Sequence, residues 1–213
     1  MRTLEELISD VRFATNENDI NRFPDVRLIK FFNDAQAQIQ AIIFSSTTGI
    51  SPFDKETFIS IIAGQETYNL PSDIYAYNAV TSVYKANNSD TLAPLNKLEA
   101  RERGIMTGYY LIGSKIGLSL MPTTSRINGM RVTYTKKLSS MESASDSPDL
   151  PSMCENYLTE FVERKVNAIN SSADIGNSNV FTSEERGMIA DIFAKNNSDI
   201  DYPPITDSTY LIV

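Results

Sequence analysis

The side chains that most often carry out catalysis and bind metals are scarce in this chain of 213 residues. The chain has no histidine and one cysteine, so a Ser-His-Asp triad, a Cys-His pair and a zinc site of Cys and His ligands cannot be assembled. A single cysteine also excludes an intrachain disulfide. The chemistry left to this chain is that of carboxylates, of lysine, or of a metal held by carboxylates.

Two glutamates, Glu155 and Glu160, are candidates by type for the acid and base of glycoside hydrolysis. They lie five residues apart in a predicted helix, a spacing that turns their side chains about 140° away from each other. Two carboxylates so oriented do not frame one sugar bond. The sequence therefore predicts no catalytic residue and a protein that is not an enzyme, with a cell-wall hydrolase as the alternative function.

Asp146 and Asp149, together with nearby serines, could offer oxygen ligands to calcium. The EF-hand spacing with its central glycine and terminal glutamate is missing, so a solvated linker is the favoured interpretation and no metal site is predicted. Cys154 lies at a predicted helix start, where the pKa of a thiol can be lowered, but it has no histidine partner. We interpret it as a core or interface thiol, and we predict no cofactor.

The formal charge of −8 gives the chain no basic footprint for gripping phosphates. A helix predicted over residues 24–45 carries only Arg27 and Lys30 as cations, which disfavours a regulatory DNA-binding protein. Acidity does not exclude contact with DNA in transit, because an acidic channel repels phosphates weakly and does not hold the duplex. The sequence has no apolar run long enough for a bilayer, and its N-terminal charges argue against an export signal. We expect no membrane association and synthesis in a cytoplasm.

Helices are predicted in the N-terminal and C-terminal parts of the sequence, and they must position these side chains. Helical periodicity predicts helices over residues 3–14, 24–45, 152–170 and 182–195. Thr3 followed by Glu6 fits a capping box at the first of them. The second has one apolar stripe, formed by Leu28, Phe32, Ala35, Ile39 and Ile42.

Between these helices the apolar period changes to that of extended chain. Strands are predicted over residues 57–62, 67–70, 74–85, 109–112, 115–120 and 130–137. We expect the first two to form a hairpin across Ala63-Gly64-Gln65, and Gly113-Ser114 to form a type II′ turn in a second hairpin.

The order of elements predicts an α+β protein. Its N- and C-terminal helices form a helical bundle domain from residues 1–50 and 139–195, and residues 51–138 form an inserted β domain, a small barrel or sandwich. Residues 196–213 follow as an extended C-terminal arm.

Seven residues are the candidate contacts with other subunits or with a partner. The arm contains Tyr202 and ends in an apolar run, which favours docking on a neighbour over a frayed end. On the second helix, Asn33 and Gln36 could bond a neighbouring subunit or bridge the helix to a loop, although a solvated polar face is the favoured interpretation. The apolar run of the arm consists of Tyr210, Leu211, Ile212 and Val213.

Four motifs occur in a characteristic order along residues 1–170. They are Phe31-Phe32-Asn33-Asp34-Ala35-Gln36, then Tyr68-Asn69-Leu70-Pro71-Ser72-Asp73, then Gly113 to Tyr134 with Ile116, Leu118, Pro122 and Gly129, and finally Leu150-Pro151 leading into Tyr157 and Phe161. In this order they resemble the head-to-tail connector, or adaptor, family of tailed bacteriophages.

The resemblance implies a structural virion protein whose copies form a ring of twelve between the portal and the tail. The alternative is a phage cell-wall (peptidoglycan) hydrolase or another tail-associated protein that acts during entry. Its partners would be the portal protein, neighbouring adaptor subunits and a downstream tail or nozzle protein. Genomic double-stranded DNA would pass through the ring during ejection without sequence-specific binding. The expected location is the neck of the virion, after synthesis in the host bacterial cytoplasm.

Overall fold

The computed structural model describes residues 2–17, 19–46, 51–87, 91–99, 102–171 and 180–198. This part of the chain is α+β, as predicted. Its helices are α1 (Leu4–Thr15), α2 (Asp25–Ser46), α3 (Glu155–Asn170), which follows the 3-10 turn Ser152–Cys154, and α4 (Ser183–Ser198). Its strands are β1 (Asp54–Ile61), β2 (Thr67–Asn69), β3 (Val80–Ala86), β4 (Leu92–Pro94), β5 (Tyr109–Ile112), β6 (Lys115–Leu118) and β7 (Arg126–Thr135).

The chain divides into two compact units. The helical unit consists of the described residues of Met1–Thr48 and Ser140–Val213, and the β unit consists of those of Gly49–Ser139. In the helical unit, α3 packs against α1 and α2, and α4 packs against α2. These contacts follow from the apolar stripe that each of the first three helices carries.

Helix α1 begins with the predicted capping box. The Thr3 hydroxyl accepts a hydrogen bond from the Glu6 N–H at 3.4 Å, and the Glu6 carboxylate accepts one from the Thr3 N–H at 2.9 Å. The helix ends at Asn16, whose left-handed φ of 51° stops the helical hydrogen bonding. Two backbone bonds, from Leu4 N–H to the Asp146 carbonyl and from Glu5 N–H to the Ala144 carbonyl, tie its start to a later loop.

Helix α2 buries the predicted stripe, and it buries more than that stripe. Leu28, Phe32, Ala35, Ile39 and Ile42 are all buried. Phe31, Gln36, Gln40 and Ile43 are buried as well, because α2 contacts both α3 and α4 and so needs a wider buried face.

The β unit is a pair of antiparallel sheets around one core. The four-stranded sheet has the order β1-β7-β3-β4 and the three-stranded sheet the order β2-β6-β5. Side chains of both sheets form a single apolar cluster that includes Val83, Met130 and Val132 from the first and Tyr68, Leu111 and Ile116 from the second. Of the two predicted alternatives, this arrangement is a sandwich, and no closed barrel forms among the described residues.

Three details of the predicted β structure are wrong. β1 and β2 do not form a hairpin, because β1 pairs with β7 and β2 pairs with β6, each in a different sheet. The predicted strand 74–85 is shortened to β3, since a turn closed by Ala79 N–H and the Ala76 carbonyl precedes it. Strand β4 was not predicted. The turn at Gly113 is confirmed: its φ is 55° and that of Ser114 is not positive, as a type II′ turn requires.

Candidate interaction sites

Asn33 and Gln36 join α2 to the segment that precedes α3. The Asn33 side chain donates to the Met141 carbonyl and accepts from the Met141 N–H, both at 2.9 Å. The Gln36 side-chain oxygen accepts from the Asp149 N–H at 2.9 Å. Gln36 is 3% exposed, so the interpretation of a solvated face is wrong for it. The bridge from helix to loop is what the structure contains, and a contact of either residue with another subunit stays a prediction.

The other predicted contact residues, Tyr202, Tyr210, Leu211, Ile212 and Val213, lie outside the described residues. Their role stays a prediction.

The motif from Phe31 to Gln36 on α2 also joins α2 to α3 through an ion pair. Lys165 Nζ lies 3.0 Å from the Asp34 carboxylate and 4.3 Å from the ring centre of Phe31. Lys165 is 8% exposed, so both its charge and its stem are used inside the helical unit. The motif residues Asn33, Asp34 and Gln36 therefore all have intrachain partners.

Two motifs of the β unit meet at one carboxylate. Asp73 accepts hydrogen bonds from Lys55 Nζ at 2.9 Å and from the Tyr134 hydroxyl at 2.7 Å. The pKa of Asp73 is lowered mainly by the hydrogen bond from Lys55 and next by the hydrogen bond from Tyr134. The same bond between Lys55 and Asp73 raises the pKa of Lys55. The pKa of Tyr134 is raised mainly by burial and next by its hydrogen bond to Asp73. Tyr134 is 1% exposed, so its hydroxyl is unavailable to a substrate and the cluster is architectural.

The two glutamates considered for hydrolysis do not form a catalytic pair. Glu155 accepts hydrogen bonds from the backbone N–H of Arg2 at 3.3 Å and from its Nε at 2.9 Å, which lowers the pKa of Glu155. Glu160 is exposed on α3. A general acid for glycoside hydrolysis needs a raised pKa, so the shift of Glu155 has the wrong sign for that role.

The aspartates and the cysteine considered above also have structural environments. Asp146 accepts from the backbone N–H groups of Glu142 at 2.8 Å and Ser143 at 3.0 Å, and these bonds lower its pKa. In the part of the chain that the structure describes, no group of three or more carboxylates or thiols is placed to hold a metal ion. Cys154 is fully buried, and burial raises its pKa to about 11, so a lowered pKa is wrong and a core thiol is confirmed.

One carboxylate of the helical unit is held in an unfavourable place. Glu163 on α3 is half-buried, and burial raises its pKa. The nearby charges of Glu160 and of Asp10 on α1 raise it further. The folded structure thus disfavours the charged form of Glu163.

One end of the β unit exposes a group of apolar side chains that the sequence did not suggest as a site. Its loops are joined by bonds from the Gly64 N–H to the Pro122 carbonyl at 2.8 Å and from the Gly104 N–H to the Ser119 hydroxyl at 2.8 Å. These loops and the start of β7 carry side chains that are between 46% and 84% exposed, namely Ile62, Ile105, Met106, Leu120, Met121 and Ile127. The sequence predicts strand ends at Ile62 and Leu120 and assigns the other four residues to no element, and only the loop contacts join the segments that carry them. Grouped exposure of this kind is typical of protein contact surfaces.

Among the described helices, none is long and apolar enough to cross a membrane.

A family model described as SU10 adaptor protein matches residues 2–199, a range that spans both units. No curated protein matches the chain.

Proposed function

The chain belongs to the SU10 adaptor protein family, and from this membership we propose that it is a head-to-tail adaptor, a structural component of a bacteriophage virion. The observation that carries the proposal is the extent of the match, which covers both the helical unit and the β unit. The motif residues support it, because Asn33, Asp34 and Asp73 each bind another segment of the same chain, at Met141, Lys165 and Lys55 respectively.

In this role the subunits form a ring, with twelve copies by the resemblance, between the portal protein and a downstream tail or nozzle protein. A ring needs heterologous contacts, in which one face of a subunit meets a different face of the next. Genomic DNA passes through the ring during ejection. The net charge of −8 per copy fits passage without retention, because an acidic surface does not hold phosphates.

The arm is the part of the chain that we assign to docking. Tyr202 and the run Tyr210 to Val213 give it apolar anchors that suit a groove or sheet edge on the portal or on a neighbouring subunit. An arm that orders only on docking pays its ordering entropy at that step, which delays assembly until the portal is present. Asn33 and Gln36 contribute by holding the segment before α3 against α2.

We propose that the protein has no catalytic activity. The hydrogen bonds of Glu155 to Arg2 leave the alternative, a cell-wall hydrolase, without an acid of raised pKa at that position. A zymogram with peptidoglycan separates the two functions. A lytic band for the purified wild type that disappears in Glu160→Gln would favour the hydrolase.

The adaptor function is tested by the mass of the purified full-length chain, alone and after mixing with portal rings of the same virus. Native mass spectrometry should detect ring-sized complexes on the portal. The proposed location of the protein is the neck of the virion, after synthesis in the host cytoplasm. Portal rings of an unrelated phage are the control. A chain that stays monomeric with its own portal would refute the adaptor.

A further inference from the structure

Helix α2 has a second stripe, opposite its core face, that is exposed and poor in charge. It consists of Val26, Lys30, Ala37 and Ala41, all of which are exposed, and we call it the α2 stripe. Val26 alone is 78% exposed. A solvated face of a 22-residue helix normally carries several charged side chains. Here Val26 and two alanines accompany one cation, and the half-buried Asn33, which is bonded to Met141, lies between Lys30 and Ala37.

The carboxylates beside the α2 stripe are engaged elsewhere. Asp25 pairs with Arg12 at 2.7 Å, and Asp34 pairs with Lys165 at 3.0 Å. Lys30 has no ion pair among the described residues. The neighbouring Arg27 donates to the Arg22 carbonyl and lies over the rings of Phe23 and Phe31, and it pairs with no carboxylate that the structure describes. The stripe therefore offers positive charge beside small apolar side chains.

Helix α4 has an exposed stripe of opposite charge. Glu184, Gly187, Met188 and Asp191 follow the i, i+3, i+4, i+7 spacing of one helix face, are all exposed, and are called here the α4 stripe. Glu184 and Asp191 form no ion pair with any residue the structure describes. Met188, 44% exposed, lies between them.

Gly187 is the second unusual feature of the α4 stripe. Glycine is a poor helix former, and no atom lies within 4 Å of the place that a Cβ at this position would occupy. No neighbouring atom in the structure thus requires a glycine here. A helix of another molecule that packs closely across α4 would require it, because small residues let two helices approach.

We propose that the α4 stripe of one copy packs against the α2 stripe of the next copy in the ring. The inference rests on the proposed function, since it requires the subunits to assemble. The favoured pairs are Lys30 with Glu184 or Asp191, around a contact of Met188 with the alanines of α2. The partner is a second copy because the same compact unit presents both the cationic and the acidic stripe. Two different faces of this kind give the heterologous contact that a ring needs.

The test is a charge-reversal cycle on the full-length chain. Lys30→Glu and Glu184→Lys are measured alone and together for the concentration at which half of the chain assembles on portal rings. Each single change should raise that concentration about tenfold, because like charges then face each other. The double variant should recover most of the loss. Glu5→Lys, a reversal at an exposed position of α1, is the matched control.

A second variant separates assembly from stability. Gly187→Leu should stabilise α4 in the monomer, measured by thermal unfolding, and should weaken assembly by blocking close approach. Assembly that is unchanged or strengthened would overturn the proposal.

The outcomes distinguish this inference from the proposed function. If the wild type neither assembles nor binds its portal, the adaptor function fails. If the wild type assembles and both single reversals behave like Glu5→Lys, the adaptor stands and the contact between the two stripes is refuted. Singles that weaken assembly without recovery in the double variant would also overturn the pairing.

Discussion

In the helical unit, single polar side chains connect a helix to a distant segment that has no regular secondary structure. The segment before α3 has no regular structure at Met141, yet Asn33 bonds both of its backbone polar groups from 108 residues away. A buried or half-buried backbone group that loses its partner costs more than the bond itself contributes, because it is left without water. Asn33 is thus placed to matter for the monomer as well as for any contact between subunits.

Asn33→Ala should lower the free energy of unfolding of the monomer by about 1–3 kcal/mol, because two backbone groups of Met141 lose their partner. Urea denaturation below the assembly concentration measures it. Asn167→Ala, at an exposed position of α3, should have little effect and is the control. A monomer that is unaffected by Asn33→Ala would limit this residue to a role between subunits.

Glu163 allows a prediction with a definite pH dependence. Its pKa is raised in the folded state by burial, then by Glu160 and Asp10, so at neutral pH its charge opposes folding. The penalty is present above the folded pKa and absent below the unfolded pKa, where both states are protonated. Glu163→Gln should therefore raise the unfolding temperature at pH 7.

The stabilisation by Glu163→Gln should shrink as the pH falls, and vanish below the ordinary carboxyl range of about 4.3. Thermal unfolding from pH 3 to pH 8 measures it, with the exposed Glu142 changed to Gln for comparison. A variant whose stabilisation is independent of pH would show that the effect of Glu163 is packing and not charge.

Connections between elements of the β unit depend on buried hydroxyls as well as on strand pairing. The Asp73 carboxylate joins Lys55 on β1 to Tyr134 on β7, at the end where the chain enters the sandwich. Its pKa is lowered by these bonds, so its stabilisation is present above the unfolded pKa and is lost as the pH falls through the folded pKa. Acid should therefore loosen this end of the β unit.

Tyr134→Phe should reduce the free energy of unfolding by about 1 kcal/mol, because the ring still fills its place and only the bond to Asp73 is lost. Tyr109→Phe is the matched control, since the hydroxyl of this buried tyrosine has no partner among the described residues. Chemical denaturation at pH 7 compares the two. Equal effects would show that the hydrogen bond of Tyr134 contributes nothing measurable.

Helix α4 depends on its first turn. Thr182 and Glu185 form a capping box, and Glu185 also pairs with Arg164 of α3 at 2.9 Å. Thr182→Ala should cost about 1 kcal/mol and should increase amide hydrogen exchange in α4 while leaving α1 unchanged. Thr3→Ala is the reciprocal control, with its effect on α1. Exchange that increases equally in all helices would contradict a local role for the cap.

At the scale of the whole molecule, the boundaries of the inserted domain stay a prediction. We propose that residues 51–138 fold by themselves, because the two sheets enclose one apolar cluster drawn entirely from this range. The excised segment should unfold cooperatively and show sheet-type circular dichroism. A segment with Val83→Asp and Val132→Asp, both in that cluster, provides the unfolded reference. An excised wild-type segment that resembles this reference would contradict an independent domain.

The sequence by itself determined the features that depend on neighbours along the chain. The capping box at Thr3, the buried stripe from Leu28 to Ile42 and the turn at Gly113 were predictable because helix periodicity, caps and tight turns involve residues a few positions apart. The order of helices around a β insertion followed from the same local patterns. The motifs of the resemblance then predicted the family that the match over residues 2–199 shows.

The tertiary structure alone decided which distant segments meet. Strand β1 pairs with β7 and not with β2, and Asp73 meets Tyr134 across 61 residues. The burial of Gln36 and the grouping of Ile105 with Met121 are of the same kind. Each of these contacts is selected by the packing of the complete core, which stabilises one pairing among many that are equivalent locally. A local sequence pattern carries no information about which pairing that is.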